Sequence, residues 1–108
     1  MKFKLNGMDR LVIPKLLPEK GAMLEQITIK ELLEIIKIKT EEFDELGLME
    51  NKVNGQLSWD PEKIKVEKEF DLSKSQTSIM KDAVEKMDKD KEINQFNLET
   101  CQRIKKMR

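Results

Sequence analysis

Apolar residues recur along this chain in two rhythms, and each rhythm predicts a kind of element. KFKLN alternates, with Phe3 and Leu5 on one side and Lys2 and Lys4 on the other, which is the period of a half-buried strand. In NGMDRLVIPKLLPEKG, Asn6 and Asp9 have the spacing of a capping pair, and Leu11, Leu16 and Leu17 line a helical face. Pro14 removes one backbone donor and crowds the preceding turn, so the helix is expected to be short or kinked and to end before Pro18. The clearest local signal is ITIKELLEII. Thr28 and Glu31 have capping-box spacing, Ile27 and Leu32 stand at staple positions, and a helix from Ile29 would bury Leu32, Leu33 and Ile36. KTEEFDELG restarts a helix, with Thr40 as cap, acids in the first turn where the helix dipole favours them, and Gly47 as terminator.

Past Gly47 the rhythm returns to two. Asn54-Gly55 is a strong hairpin signal, followed by Leu57 and Trp59 on one face of an outgoing strand. IKVEKEF alternates again, with Ile64, Val66 and Phe70 on its apolar side. Trp59 is expected to anchor the core between sheet and helices rather than to act as a partner hot spot. The remainder is helical. Ser73 and Gln76 make a further capping box ahead of a stripe of Ile79, Met80, Ala83, Val84 and Met87, and Asn97 caps a last helix with Leu98, Cys101 and Ile104 on one face.

These elements predict one α+β domain over 1–108: a strand plus helices over 1–47, a β-meander over 48–72 and two helices over 73–108. The expected sheet is small and antiparallel, with three or four strands and the Asn-Gly hairpin, packed against four to five short helices. A winged-helix-like arrangement is the alternative, because a helix-turn-helix outline precedes a hairpin.

Charge refines this picture. Lys and Arg balance Asp and Glu at 21 each, so no global field draws in nucleic acid or anionic membrane. Residues 1–22 and 91–108 each carry five basic and two acidic groups, whereas 23–60 carry four basic and nine acidic. The acidic middle makes Glu41, Glu42, Asp44, Glu45 and Glu50 the candidate interaction surface. Were the winged-helix alternative to hold, Lys52, Lys63, Lys65 and Lys68 would lie on or near the wing, with Lys105, Lys106 and Arg108 as further phosphate contacts. Against it stands the acid-rich second helix, because a negative helix does not enter a groove lined with phosphate.

Candidate chemistry is sparse. The chain has no His and no Tyr, so a histidine-based acid, base or metal mechanism is not expected. Cys101 is the single cysteine, lies at an apolar helical position, and is expected to be a buried structural thiol. There is no phosphate-binding loop, so no catalytic residue, cofactor or metal ligand is assigned, and no enzyme is expected. No apolar run approaches the length of a membrane span, and the default location is cytoplasmic.

The order LLPEKG, ITIKELLEIIKIKTEEF, an Asn-Gly hairpin with LSWD, and then two helices resembles small uncharacterised proteins of tailed phages and prophages. The shared features are capping, turn and core signals. The resemblance implies a viral origin, hence the cytoplasm of a host cell, and no activity or site residues. The leading expectation is a non-enzymatic accessory protein that acts by self-association or by binding a host protein. Its surface would be the acidic segment or the exposed flank of the C-terminal helices, whose stripes exceed what one small core covers. After the winged-helix DNA binder, a third reading, the least supported by residues, is an oligomeric binder of a small nucleotide signal; the Thr28 and Ser73 helix starts would offer it backbone amides, but their capping boxes already use them.

Overall fold

The computed structural model describes residues 2–107. The chain begins with β1 (Lys2–Asn6), which turns directly into α1 (Gly7–Leu16). The Asn6–Asp9 box forms: the Asp9 amide donates to Asn6 Oδ1 at 2.8 Å, and the Asn6 amide donates to Asp9 Oδ2 at 3.0 Å. Pro14 neither stops the helix nor lies in its core; α1 runs past it to Leu16 with the Pro14 ring exposed. α1 is the hub of the molecule, touching β1, two later helices and the turn at 63–65. Gly7 is needed at its start, because a Cβ there would lie 2.8 Å from Ile64 Cδ1 and 2.9 Å from the Ile64 carbonyl.

α2 spans Met23–Ile36, six residues longer at its start than the Thr28–Glu31 box predicts. Its N-cap is Ala22, which makes no side-chain bond, and the Gln26 amide reaches the Ala22 carbonyl at 3.0 Å. Thr28 therefore lies inside the helix and its hydroxyl donates backwards to the Leu24 carbonyl at 3.0 Å. The staple fails for the same reason, since Ile27 stands on the outer side of the helix. Ile29, Leu32 and Ile36 are buried, and Leu33 is half-buried. Thr40 opens a 3-10 turn (Thr40–Glu42), followed by the single-turn α3 (Phe43–Leu46). Gly47 ends α3 in the left-handed region at φ 64°, as its position predicts.

The strands divide differently from a meander. β2 (Met49–Glu50) and β3 (Leu57–Ser58) form a two-residue hairpin by themselves, with Gly55 at φ 71° in the connecting loop. Residues 63–65 form a 3-10 turn that buries Ile64 and leaves Val66 exposed, so IKVEKEF is not one continuous strand. β4 (Glu67–Asp71) pairs antiparallel with β1, register Phe3↔Phe70 and Leu5↔Lys68. Two two-stranded sheets replace the single sheet, within an α+β fold. The winged-helix alternative is not what the described residues form, because α3 is one turn long and the hairpin pairs with no other strand.

α4 (Lys74–Lys89) and α5 (Leu98–Lys105) close the core. The Ser73–Gln76 box holds α4 at its start, with Gln76 N donating to Ser73 Oγ at 3.1 Å. Asn97 makes no cap bond to α5; it exchanges two hydrogen bonds with Asn94 instead. The main core joins Leu5, Ile13, Leu32, Ile36, Leu72, Met80 and Ile104, and burying each such side chain is worth about 1.5–3 kcal/mol. A second, smaller core of Leu46, Leu48 and Ile64 packs with Phe43 and half-buried Trp59. The stripes of α4 and α5 are consumed in the main core, where Met80, Ala83, Val84, Cys101 and Ile104 are buried. They leave no apolar surplus of the kind their periodicity suggests.

Candidate interaction surface

Two buried ionic groups hold α1 against the rest of the chain. Arg10 projects from α1 with its side chain only 3% exposed. Its Nε donates to the Ile36 carbonyl at 2.8 Å and one Nη to the Lys37 carbonyl at 2.8 Å, so it caps the open C-terminal end of α2. Both Nη atoms then grip Glu42, at 3.0 Å on Oε1 and 2.8 Å on Oε2, while Phe70 lies under the guanidinium with its centroid 5.0 Å away. Glu42 also accepts from the Lys39 amide at 2.8 Å and meets Lys68 Nζ at 3.3 Å. The hydrogen bonds from Arg10 pull the Glu42 carboxyl down to about 2, against the opposing effect of burial.

The second group is Asp9, completely buried. It accepts from the Thr100 hydroxyl at 2.7 Å and from Arg103 Nη at 3.2 Å, which ties α5 to α1. Arg103 Nε lies 2.7 Å from Asp9 Oδ2 as a close ion pair without hydrogen-bond alignment. Both groups are structural ties whose charges are used up internally.

This changes the acidic surface. Glu42 is withdrawn from it into the Arg10 pair, while Glu41, Asp44, Glu45 and Glu50 are exposed. Of the basic candidates, Lys68 is engaged with Glu42 and approaches the Phe70 ring at 5.8 Å. Lys52, Lys63, Lys65, Lys105 and Lys106 are exposed but sit on separate elements: hairpin loop, 3-10 turn and the end of α5. Arg108 lies outside the described residues. Thr28 is inside α2, so the helix start expected at that position lies at Met23 instead.

Among the described residues, the groups whose affinity for protons is shifted sit in structural contacts. Glu42 is too acidic and too firmly held to take a proton near neutrality. The exposed Asp60 carboxyl is lowered by the backbone amides of Glu62 and Lys63, an ordinary turn arrangement. Burial, with the nearby Asp88 charge, raises the Cys101 thiol and keeps it unreactive. Among the described residues no three Cys, Asp or Glu side chains gather as a metal site, and no helix is long and apolar enough to cross a membrane. A shallow groove of about 320 Å³ lies between α1, the end of α2 and the hairpin, walled by Leu11, Pro14, Leu33, Phe43 and Leu57.

The feature that sequence reasoning missed is the outer side of α2. Met23 is 81% exposed, Leu24 76%, Ile27 47% and Ile35 41%. Met23, Ile27, Glu31 and Ile35 follow one another at i, i+4 spacing, with Leu24 beside them, so the apolar positions form one row interrupted only by Glu31. α2 is therefore apolar on two sides, one in the core and one in solvent. The pattern is present in MLEQITIKELLEII, but reading Thr28 as a cap removes its first half from the helix. No protein family, no curated protein and no solved structure matches this chain.

Proposed function

We propose that this protein is a non-enzymatic interaction module, of the accessory kind its segment order suggests for a phage or prophage, and that it works through the outer face of α2. The observation that carries this is the exposed apolar row Met23, Leu24, Ile27 and Ile35 on a helix already anchored by its opposite side. Isolated exposed apolar residues are ordinary, but a row of them on one rigid helix face is the form of a docking surface. A helix-on-groove or helix-on-helix contact reads such a row through its i, i+4 anchors. The non-enzymatic part of the reading rests on residue types: the chain has no His, and Glu42, Asp9 and Cys101 are committed to internal contacts.

A photoreactive amino acid installed at Ile27 tests it in cells that make the protein, with the same residue at exposed Glu85 on α4 as control. The expected result is a discrete crosslinked species from position 27 that is absent from position 85. Identical patterns from the two positions, or no species from either, would refute an α2 docking face.

A further inference from the structure

We infer that the occupant of this face is a second copy of the same chain, in a weak antiparallel two-fold pair along α2; this rests on the interaction reading above. The row is self-complementary. Its ends, Met23 and Ile35, lie equally far from Ile29, so a two-fold axis at the level of Ile29 sets Met23 of one copy opposite Ile35 of the other. Antiparallel pairing also opposes the two helix dipoles.

Charge complementarity is compatible with the same register. Lys30 and Glu34 are both exposed and stand on the same flank of the row, and in an antiparallel pair like flanks face each other. Side chains on a helix lean toward its N-terminus, so Lys30 of one copy and Glu34 of the other lean toward one another across the seam. Two equivalent Lys30–Glu34 pairs result. Glu31 is the one discordant residue. It interrupts the row near the axis and must lie against Ile27 of the other copy, which costs desolvation.

Size and Glu31 together make the pair weak. A 14-residue helix is about 21 Å long and about 10 Å across. Such a seam falls below the ~1,200 Å² that specific stable complexes bury, so dissociation on the order of 100 µM is expected.

Sedimentation velocity on the full chain at low and high concentration tests the arrangement. The wild type should rise from 12.7 kDa toward twice that mass between about 10 µM and about 1 mM, bracketing the expected midpoint. Glu31→Leu completes the apolar row and should tighten the pair about tenfold, as removal of one desolvated charge would do. Ile27→Lys should abolish it with an unchanged melting temperature. Lys30→Glu and Glu34→Lys should each weaken it several-fold, and mixing the two variants in equal amounts should restore wild-type mass as a mixed pair.

A wild type and a Glu31→Leu variant that both stay at monomer mass would overturn the inference, as would a dimer indifferent to Ile27→Lys or a mixture that fails to recover. If the monomer still crosslinks from position 27 to a different protein, self-pairing alone falls. If it crosslinks to nothing, the docking face falls with it.

Discussion

Glu42→Gln is the most informative single change in this molecule, because it removes a charge while keeping the shape of the side chain. In the native protein the Glu42 carboxyl is held at about 2 against an ordinary 4.5, chiefly by the two hydrogen bonds from Arg10. At ~1.4 kcal/mol per pH unit, that difference sets a ceiling of about 3 kcal/mol on what ionised Glu42 adds to stability. Glu42 is 16% exposed and one of its oxygens also meets the half-exposed Lys68, so solvent screening brings the figure nearer 2 kcal/mol. The amide would leave the Arg10 guanidinium with the Ile36 and Lys37 carbonyls and the Phe70 face but no counter-charge. A net loss of about 2–3 kcal/mol at neutral pH follows, at the low end of what breaking a buried pair costs.

The folded affinity of Glu42 for a proton is lowered, so its contribution is complete above about pH 4.5 and drains away as pH falls toward about 2. At pH 2.5 roughly a quarter of it should remain. Urea unfolding of wild type and variant at matched pH between about 7 and about 2.5 measures this, and taking the difference cancels the other carboxylates. A gap of 2–3 kcal/mol that persists unchanged to pH 2.5 would refute the linkage, and a gap below about 0.5 kcal/mol at pH 7 would refute the pairing.

Three further changes probe the other buried tie and two turns. Asp9→Asn leaves Arg103 and Thr100 without their carboxylate and should cost about 3 kcal/mol, with amide exchange in α5 accelerating before the rest of the chain opens. Gly47→Ala meets both a left-handed backbone and a Cβ 2.6 Å from Asp60 Cβ, whereas Gly55→Ala meets only the backbone in open space. Thermal melts should therefore show a loss of about 1 kcal/mol for Gly55→Ala and clearly more for Gly47→Ala; equal losses would show that Asp60 gives way freely.

Local signals in the sequence were reliable where one short stretch decides its own geometry. The Asn6–Asp9 and Ser73–Gln76 boxes and the Gly47 terminator rest on contacts within a few residues, the α4 stripe and the buried Cys101 on apolar periodicity along one helix, and all are present. Thr28–Glu31 shows the limit of that logic. The same two residues serve equally well inside a longer helix, and burial of Ile29, Leu32 and Ile36 against the main core favours extending α2 to Met23. Strand partnership was not legible, because β1 finds β4 across more than sixty residues and nothing local says so.

The interaction surface suffered from both effects. Glu42 reads as one acid among several until Arg10, distant in sequence, draws it inward. The α2 row is hidden by a helix start assigned too late. Charge counted along the chain also could not separate Asp9 and Arg10, both buried, from the solvated charges around them.

Apart from its own Asn6–Asp9 box, the stretch from Lys2 to Leu16 is tied down by partners that arrive later along the chain. Asn6 pairs with Glu67, Arg10 with Glu42, and Asp9 with Thr100 and Arg103, the last 94 residues away. Folding must close these long loops before the reward of their contacts is collected, which slows it relative to a helical bundle of similar size. On a ribosome the strand and the central helix would emerge before any of their partners, with Leu5, Val12 and Ile13 still wet. Docking of α5 is then the step that seats Asp9, and a chain interrupted before Thr100 would carry a buried-type aspartate without its Thr100 and Arg103 partners.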